Sequence, residues 1–229
     1  MYCEDWVASN AGLDVGSMSS QRVSDLLASL GCQERNGFYR AWYEYILERE
    51  FVALDITSVS SYSERVGTVE WGHNRNNENQ PQMNICMLLG EESRLPVYQT
   101  LYSGSLSDVT TLRSTMSEFS ALTGATELMV VMDKGFFSAN VLLSNHIDSA
   151  QTAHDIYRAK DVVEKGFLRY KNNLGLGRLR VHSDDRMQNK VFVAFIALII
   201  ASAIHHSMKR EGLFKGMTFE KLLLKLAKL

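Results

Sequence analysis

Four polar residues on one predicted helix have a spacing that suits phosphate and metal chemistry. In the segment DIYRAKDVVEKGFLRYKNNLG they lie at relative positions 0, 3, 7 and 14, and they are Tyr157, Lys160, Glu164 and Lys171. At about 100° per residue these positions fall at roughly 0°, −60°, −20° and −40°, so the four side chains would share one face of the helix. An acid among Lys, Tyr and Arg suits a group that binds a metal ion while its neighbours grip phosphates. The alternative is an amphipathic helix with solvated charges.

This part of the chain is also locally basic. From Tyr157 to Arg180 there are seven Lys or Arg residues against two acids, although the formal net charge of the whole chain is −2. Such an excess of positive charge predicts a surface that attracts phosphates. The opposite face of the helix is apolar and would pack against the protein; its residues are Val162, Val163, Phe167 and Tyr170.

Two further acids occupy predicted strands. Asp55 lies within the apolar run FVALDITSV, and Asp133 ends the run ELMVVM. A charge in a buried strand is costly unless it is paired or binds a metal. If these strands are neighbours, a pair of divalent cations about 4 Å apart would relieve the repulsion between the two carboxylates and activate water or a 3′-hydroxyl. Oxygen ligands favour Mg²⁺ or Mn²⁺ over zinc. The alternative is that each Asp caps a strand end or a turn.

The predicted elements that carry these acids follow the order of an α/β domain. Ser19 or Ser20 caps a first helix, and a second helix covers residues 34–49. Three strand-like runs, FVALDITSV, MNICMLLG and PVYQTLYSG, then predict an antiparallel meander. A helix with Asp108 as its N-cap, the strand that ends in Asp133 and further helices follow. This order predicts a mixed sheet flanked by helices and preceded by a small helical segment.

Composition excludes several other classes of protein. The chain has 229 residues, of which 45% are hydrophobic and 22% charged, as in ordinary soluble globular proteins. Its three cysteines are widely spaced without a C-x-x-C pair, which argues against a disulfide framework or a zinc site. The amino terminus lacks the pattern of a secretory signal, and the apolar run Val191–Ile204 fits a buried helix. We therefore predict a cytoplasmic protein without a membrane anchor, and we interpret His205 and His206 as structural.

Taken together, these motifs resemble the DDE transposases of bacterial insertion sequences. The resemblance rests on ALDITSVSSYS, GSLSDVTTL, VMDKGFFS and the Y-x2-K-x3-E-x6-K helix, and it runs from about Trp6 to the Val191 helix. More narrowly, the chain resembles the group with a Tyr-Arg-Glu-Lys signature in its last catalytic helix. The resemblance implies a ribonuclease H-like core in which Asp55, Asp133 and Glu164 hold two Mg²⁺ (or Mn²⁺) ions.

The resemblance also implies a function and its partners. In that family the signature Tyr, Arg and Lys contact DNA near the transposon end, and these roles would pass to Tyr157, Lys160 and Lys171, with Arg169 in the same basic helix. The implied reaction is metal-dependent cleavage of transposon ends and strand transfer to target DNA, and a homodimer is compatible with it. The implied domains are a helical segment at 1–50, a catalytic core at 51–208 and a carboxy-terminal amphipathic helix at 209–229.

Three departures from the family pattern predict a shortened protein. Lys160 replaces the family's Arg, which loses bidentate phosphate recognition. Only 30 residues separate Asp133 from Glu164, where relatives carry a further core strand and a long insertion. The helical DNA-binding sequence at the amino terminus is also shorter than in the group. We therefore predict a transposase that is weak or inactive as this chain. One alternative is a catalytically inactive remnant that at most binds DNA, and another is a different nuclease on the same fold.

Overall fold

The computed structural model describes residues 18–46, 51–72, 79–90, 93–125, 129–132, 149, 161–173, 179, 181 and 183–226. Helices and strands account for most of these ranges. In chain order the elements are α1 (Ser20–Ser29), α2 (Cys32–Ile46), β1 (Phe51–Ser60), β2 (Gln82–Gly90), β3 (Pro96–Ser103), α3 (Asp108–Thr123), β4 (Met129–Met132), α4 (Asp161–Leu168), a π-helical turn (Arg169–Asn173), α5 (Asp184–Arg210), a 3-10 turn (Leu213–Lys215) and α6 (Phe219–Leu226).

The four described strands form one mixed sheet. Their order is β3-β2-β1-β4; β1 and β3 run antiparallel to β2, and β4 runs parallel to β1. The antiparallel part is the predicted meander, and the parallel strand returns beside β1 after the crossover through α3. This arrangement confirms the predicted α/β fold with a mixed sheet and flanking helices.

Each face of the sheet supports its own hydrophobic core, because side chains alternate along β1. Ala53 and Val59 point to the face that α4 and the π turn cover with Phe167 and Tyr170. The even-numbered residues of β1 point to the opposite face, which α2 and α3 cover, and they are Val52, Leu54 and Ile56. Helix α5 contributes to both cores and lies beside β3.

The caps of two helices show how local chemistry sets their ends. Ser19 caps α1 as predicted, since its hydroxyl accepts a hydrogen bond from the Arg22 N–H at 3.2 Å. The predicted N-cap of α3 is wrong by one residue: Ser107 is the cap, and its Oγ accepts from the Thr110 N–H at 3.4 Å. Asp108 occupies the first turn instead, where a negative charge favours the helix dipole.

Helix α5 is longer than the apolar run that predicted it. It has 27 residues and begins after the N-cap Ser183. By length and composition it would be long enough to cross a membrane, which corrects the interpretation drawn from the apolar run alone. The central helix of a soluble domain has the same properties, and 44% of the most apolar window of α5 is buried within the chain. Met187, Phe195 and Leu198 are fully buried in the two cores, as expected of a central helix.

Asn189, which is fully buried in α5, links the amino-terminal helices to the rest of the fold. Its Nδ2 donates to the carbonyl oxygens of Leu27 at 2.7 Å and Leu30 at 2.8 Å. Its Oδ1 accepts a hydrogen bond from Arg35 Nη1 at 2.5 Å. Helix α2 also places Tyr39 in the core on the second face of the sheet. The amino-terminal helices therefore share a core with the sheet, while the predicted domain limits at residues 50 and 208 stay a prediction.

Candidate active site

Asp55 lies in the middle of β1 on the face of the sheet that α4 covers. It is paired with Met87 of β2, and both residues follow the alternation that turns Ala53 to this face. The carboxylate is half-buried, and its Oδ1 accepts a hydrogen bond from the Ile56 N–H at 2.8 Å. The Asp55 carboxylate therefore points to the side of the sheet on which α4 packs.

The second predicted acid follows the strand beside β1. In the parallel ladder between β1 and β4, the last pair is Leu54 with Met132. The next residues along the two strands in sequence are Asp55 and Asp133. Asp133 lies outside the described residues, so its position next to Asp55 stays a prediction.

Glu164 lies on α4, which packs on β1 and β2. Gly166 makes the close approach of this helix possible, since a Cβ atom there would lie 2.9 Å from Leu89 Cδ2. Phe167 is buried in the core beneath, while Glu164 is exposed. Asp55 and Glu164 therefore belong to elements that pack together on one side of the sheet.

The helix of Glu164 does not keep a regular spacing as far as Lys171. The α-helix ends at Leu168 and continues as a π-helical turn, in which each residue advances by a smaller angle than in an α-helix. The π turn therefore changes the angle between Glu164, which is exposed, and Lys171, which is half-buried, while their predicted common face stays a prediction. Tyr157 and Lys160, the other two members of that face, lie outside the described residues.

Tyr170 gives the π turn its anchor in the core. Its ring is fully buried, and its hydroxyl lies 3.0 Å from the Val191 carbonyl oxygen and 3.1 Å from Gln99 Oε1. Gln99 Nε2 donates to the same carbonyl oxygen at 2.8 Å. Burial raises the pKa of Tyr170 far above its usual value, so the hydroxyl stays protonated and available as a donor. These contacts hold the segment after Glu164 against both β3 and α5.

A cluster of basic side chains around the π turn was not predicted from the sequence. Lys165, the residue after Glu164, is exposed. His205 belongs to α5 but lies close enough to Arg169 and Lys165 to interact electrostatically with them, and it also interacts with Lys209 of its own helix. No sequence signal could have found this cluster, because His205 is far from Arg169 along the chain and belongs to another helix.

The described part of the chain contains no group of three or more His, Cys, Asp or Glu residues that could hold a metal ion. Asp133 is not in that part, so the predicted set of Asp55, Asp133 and Glu164 stays untested. Asp55 and Glu164 nonetheless supply the oxygen ligands that Mg²⁺ and Mn²⁺ prefer, on packed elements of one face.

Comparison with known proteins points to one family. Residues 47–144 match the model of a family described as the transposase DDE domain. The match includes β1 to β4 and both Asp55 and Asp133, and it ends before Glu164. No curated protein matches the chain.

Solved structures of Mos1 transposase are similar to the chain at low identity. A pre-cleavage Mos1 transpososome is 9% identical, with a TM-score of 0.30 over 73% of this chain and 61% of that one. A Mos1 paired-end complex with the left transposon end is 12% identical, with a TM-score of 0.27 over 81% and 69% of the two chains. A Mos1 mariner paired-end complex with Mn is 10% identical, with a TM-score of 0.27 over 80% and 71%. This chain thus spans 61% of the length of the first of these structures.

Proposed function

We propose that this chain is a DDE transposase whose active site is formed by Asp55, Asp133 and Glu164. The observation that carries the proposal is the convergence of three elements: β1 with Asp55 pairs with β4 directly before Asp133, and α4 with Glu164 packs on the same face. The match of residues 47–144 to the transposase DDE domain supports the same assignment for the first two acids.

Divalent cations suit the proposed site, because its proposed ligands are carboxylate oxygens. Asp55, Asp133 and Glu164 would hold two Mg²⁺ or Mn²⁺ ions, which when bound activate an attacking oxygen and stabilise charge on phosphorus. The protein's own contribution is to hold the ligands. Asp55 is oriented by the Ile56 N–H, and the exposed Glu164 faces the side from which a DNA strand can approach.

We further propose that the reaction is cleavage of the ends of a bacterial insertion sequence and strand transfer, and that it is weak in this chain. Within the described ranges, β4 has four residues and pairs with β1 alone. Its residues Val130, Val131 and Met132 are only half-buried. A short, half-buried strand of this kind buttresses a catalytic residue poorly, and sites held loosely by their surroundings lose activity.

The proposed partners are transposon ends and target DNA, with a homodimer as the assembly that would join two ends. The proposed DNA contacts at positions of the Tyr-Arg-Glu-Lys signature are Tyr157, Lys160 and Lys171. Arg169, in the same basic segment, is a further proposed contact. A soluble, cytoplasmic protein follows from this role, because its substrate is chromosomal or plasmid DNA.

Mn²⁺ is expected to raise the melting temperature of the wild-type chain, and Asp55→Asn is expected to remove this effect. Metal at a hundred times its Kd would stabilise the fold by about 2.7 kcal/mol, which corresponds to a shift of roughly 5–10 °C for a chain of this size. Without metal, Asp55→Asn should melt at or above the wild-type temperature, since it removes a repelling charge. Differential scanning calorimetry with and without Mn²⁺ measures both quantities.

The control for this experiment is Asp185→Asn, which removes an exposed acid from the first turn of α5. It should keep the full Mn²⁺ shift. An equal shift in Asp55→Asn and in wild type would rule out Asp55 as a metal ligand.

DNA binding is expected to be weak and strongly dependent on salt. Each phosphate that a Lys contacts releases counterions, and log K falls by about 0.9 per contact for each unit of log salt concentration. The double variant Lys160→Ala/Lys171→Ala should therefore lower the slope by about two. Fluorescence anisotropy with a labelled duplex over a range of salt concentrations measures it.

A charge-matched double variant, Arg113→Ala/Lys225→Ala, removes two exposed cations from other helices. Its slope should equal that of wild type. If both double variants change the slope equally, the basic segment is only a solvated surface.

A further inference from the structure

A cavity of about 320 Å³ lies beside the π turn that follows Glu164. Its walls come from three parts of the fold: the π turn, the last turns of α5, and the 3-10 turn with the start of α6. The side chains that matter for its chemistry are Arg169, His205, Phe214, Thr218, Phe219 and Glu220. Phe214 lies against His205 with ring centroids 4.7 Å apart, so the imidazole has one apolar side and one side toward the cavity.

Arg169 is a half-buried cation that forms no ion pair with any described acid. No described side chain or carbonyl oxygen accepts a hydrogen bond from the Arg169 guanidinium. Burial lowers its pKa, yet an arginine remains protonated in proteins. A guanidinium withdrawn from water without a partner is costly, and a bound anion would offset that cost.

Further basic side chains lie near Arg169. Burial lowers the pKa of His205, which favours the neutral imidazole, and the charges of Arg169, Lys209 and Lys165 lower this pKa further. The neutral ring still carries an N–H that can donate a hydrogen bond. The one described acid in the cavity wall is the exposed Glu220, in the first turn of α6. The electrostatic balance therefore favours an anion.

We propose that this cavity binds a phosphate group, with Arg169 as the main ligand and His205 and the Thr218 hydroxyl as further donors. Arg169 follows Glu164 by five residues on the same helical segment, so the bound phosphate would lie about one and a half turns from the proposed catalytic acid. The identification of this phosphate as part of a DNA strand rests on the proposed function, whereas the anion site itself does not.

Sulfate is the probe for the site, because it resembles a phosphate dianion and keeps its charge throughout the pH range of histidine titration. In NMR spectra of the full chain, sulfate should shift the His205 ring resonances and raise the pKa of His205, since an adjacent anion stabilises the imidazolium. Sulfate should accordingly bind more tightly at low pH than at high pH.

Arg169→Ala should weaken sulfate binding about tenfold or more, as expected for loss of a charge-assisted hydrogen bond. Arg169→Lys keeps the charge and most of the stem, and it should give an intermediate affinity if Ala perturbs the fold. Glu220→Gln should strengthen binding, and Arg113→Ala, which removes an exposed cation from α3, should leave it unchanged. No sulfate-dependent shift of His205, or the same shift in Arg169→Ala, would overturn the site.

A second arm with a DNA duplex identifies the source of the phosphate. If the source is DNA, the duplex displaces sulfate at His205, and Arg169→Ala lowers the salt slope of DNA binding by about one. If sulfate binds but the duplex leaves His205 unchanged, the DNA source is overturned and the site takes free phosphate. If the chain cleaves DNA in a metal-dependent reaction, but neither sulfate nor the duplex shifts the His205 resonances, this inference is overturned and the proposed function stands.

Discussion

Glu164→Gln is expected to abolish the metal-dependent DNA cleavage that we propose for this chain. Substitution of a residue that only hydrogen-bonds to a metal ligand typically lowers metal affinity or activity by about 10- to 100-fold. Loss of a ligand itself should therefore lower the cleavage rate at least about a hundredfold. Gln has the size of Glu but lacks the negative charge that holds a divalent cation. Because Glu164 is exposed on α4, the substitution should leave the fold and its stability nearly unchanged.

The measurement is cleavage and strand joining on a duplex that carries an end of the parent element, with Mg²⁺ or Mn²⁺. Nicking of supercoiled plasmid in parallel reports any activity that does not need the specific end. Glu118→Gln serves as the control, since it removes an exposed acid from α3 on the other face of the sheet. Cleavage that persists in Glu164→Gln would exclude this residue from the active site.

The wild-type chain itself is expected to cleave slowly. Two-metal catalysis needs its ligands held to within about half an ångström by elements that packing keeps rigid. Strand β4, which precedes Asp133, has three half-buried residues at its end and pairs in the described region with β1 alone. Fast cleavage that depends on Glu164 would show that the residues between Asp133 and Glu164 support the site well.

Asn189→Ala is expected to destabilise the protein by about 3–5 kcal/mol. The substitution leaves the Leu27 carbonyl oxygen without the Asn189 donor and leaves the Leu30 carbonyl oxygen with only the longer bond from Arg35 Nη1, at 3.4 Å. It also removes one of the acceptors of Arg35. Each buried polar group that loses its partner costs about 1–3 kcal/mol. Since these bonds attach α1 and α2 to α5, unfolding of the amino-terminal helices should come first. Urea denaturation followed by circular dichroism gives the free energy of unfolding.

The neighbouring residue provides a matched control. Gln188 Oε1 also accepts from Arg35, at 2.8 Å, but Gln188 is only half-buried. Gln188→Ala should therefore cost less than about 1 kcal/mol, because water can replace it. A double-mutant cycle of Asn189→Ala with Arg35→Ala separates their mutual bond from the bonds to the two carbonyl groups. Equal costs for Gln188→Ala and Asn189→Ala would contradict a structural role specific to Asn189.

The sequence alone determined the elements and the chemistry that each could carry. The β-rich apolar run FVALDITSV predicted β1, and Ser19 or Ser20 predicted the start of α1, because strand propensity and capping are local properties that neighbouring residues encode. The same local reading identified Asp55 as an unusual charge within an apolar strand. It was less accurate where two local solutions compete, as at Ser107 and Asp108, either of which can accept a hydrogen bond from the first turn of α3.

Only the tertiary structure decided how these elements meet. The π turn after Glu164 contains the buried Tyr170, whose hydroxyl contacts Gln99 and Val191. The direction in which Lys171 leaves the helix therefore depends on residues in β3 and α5. In the same way, Arg169 and His205 come together because α5 crosses the end of the π turn. Such contacts join residues that are distant along the chain and leave no periodic signal in the sequence. Packing of the apolar faces decides them, and it thereby sets which charges share a site.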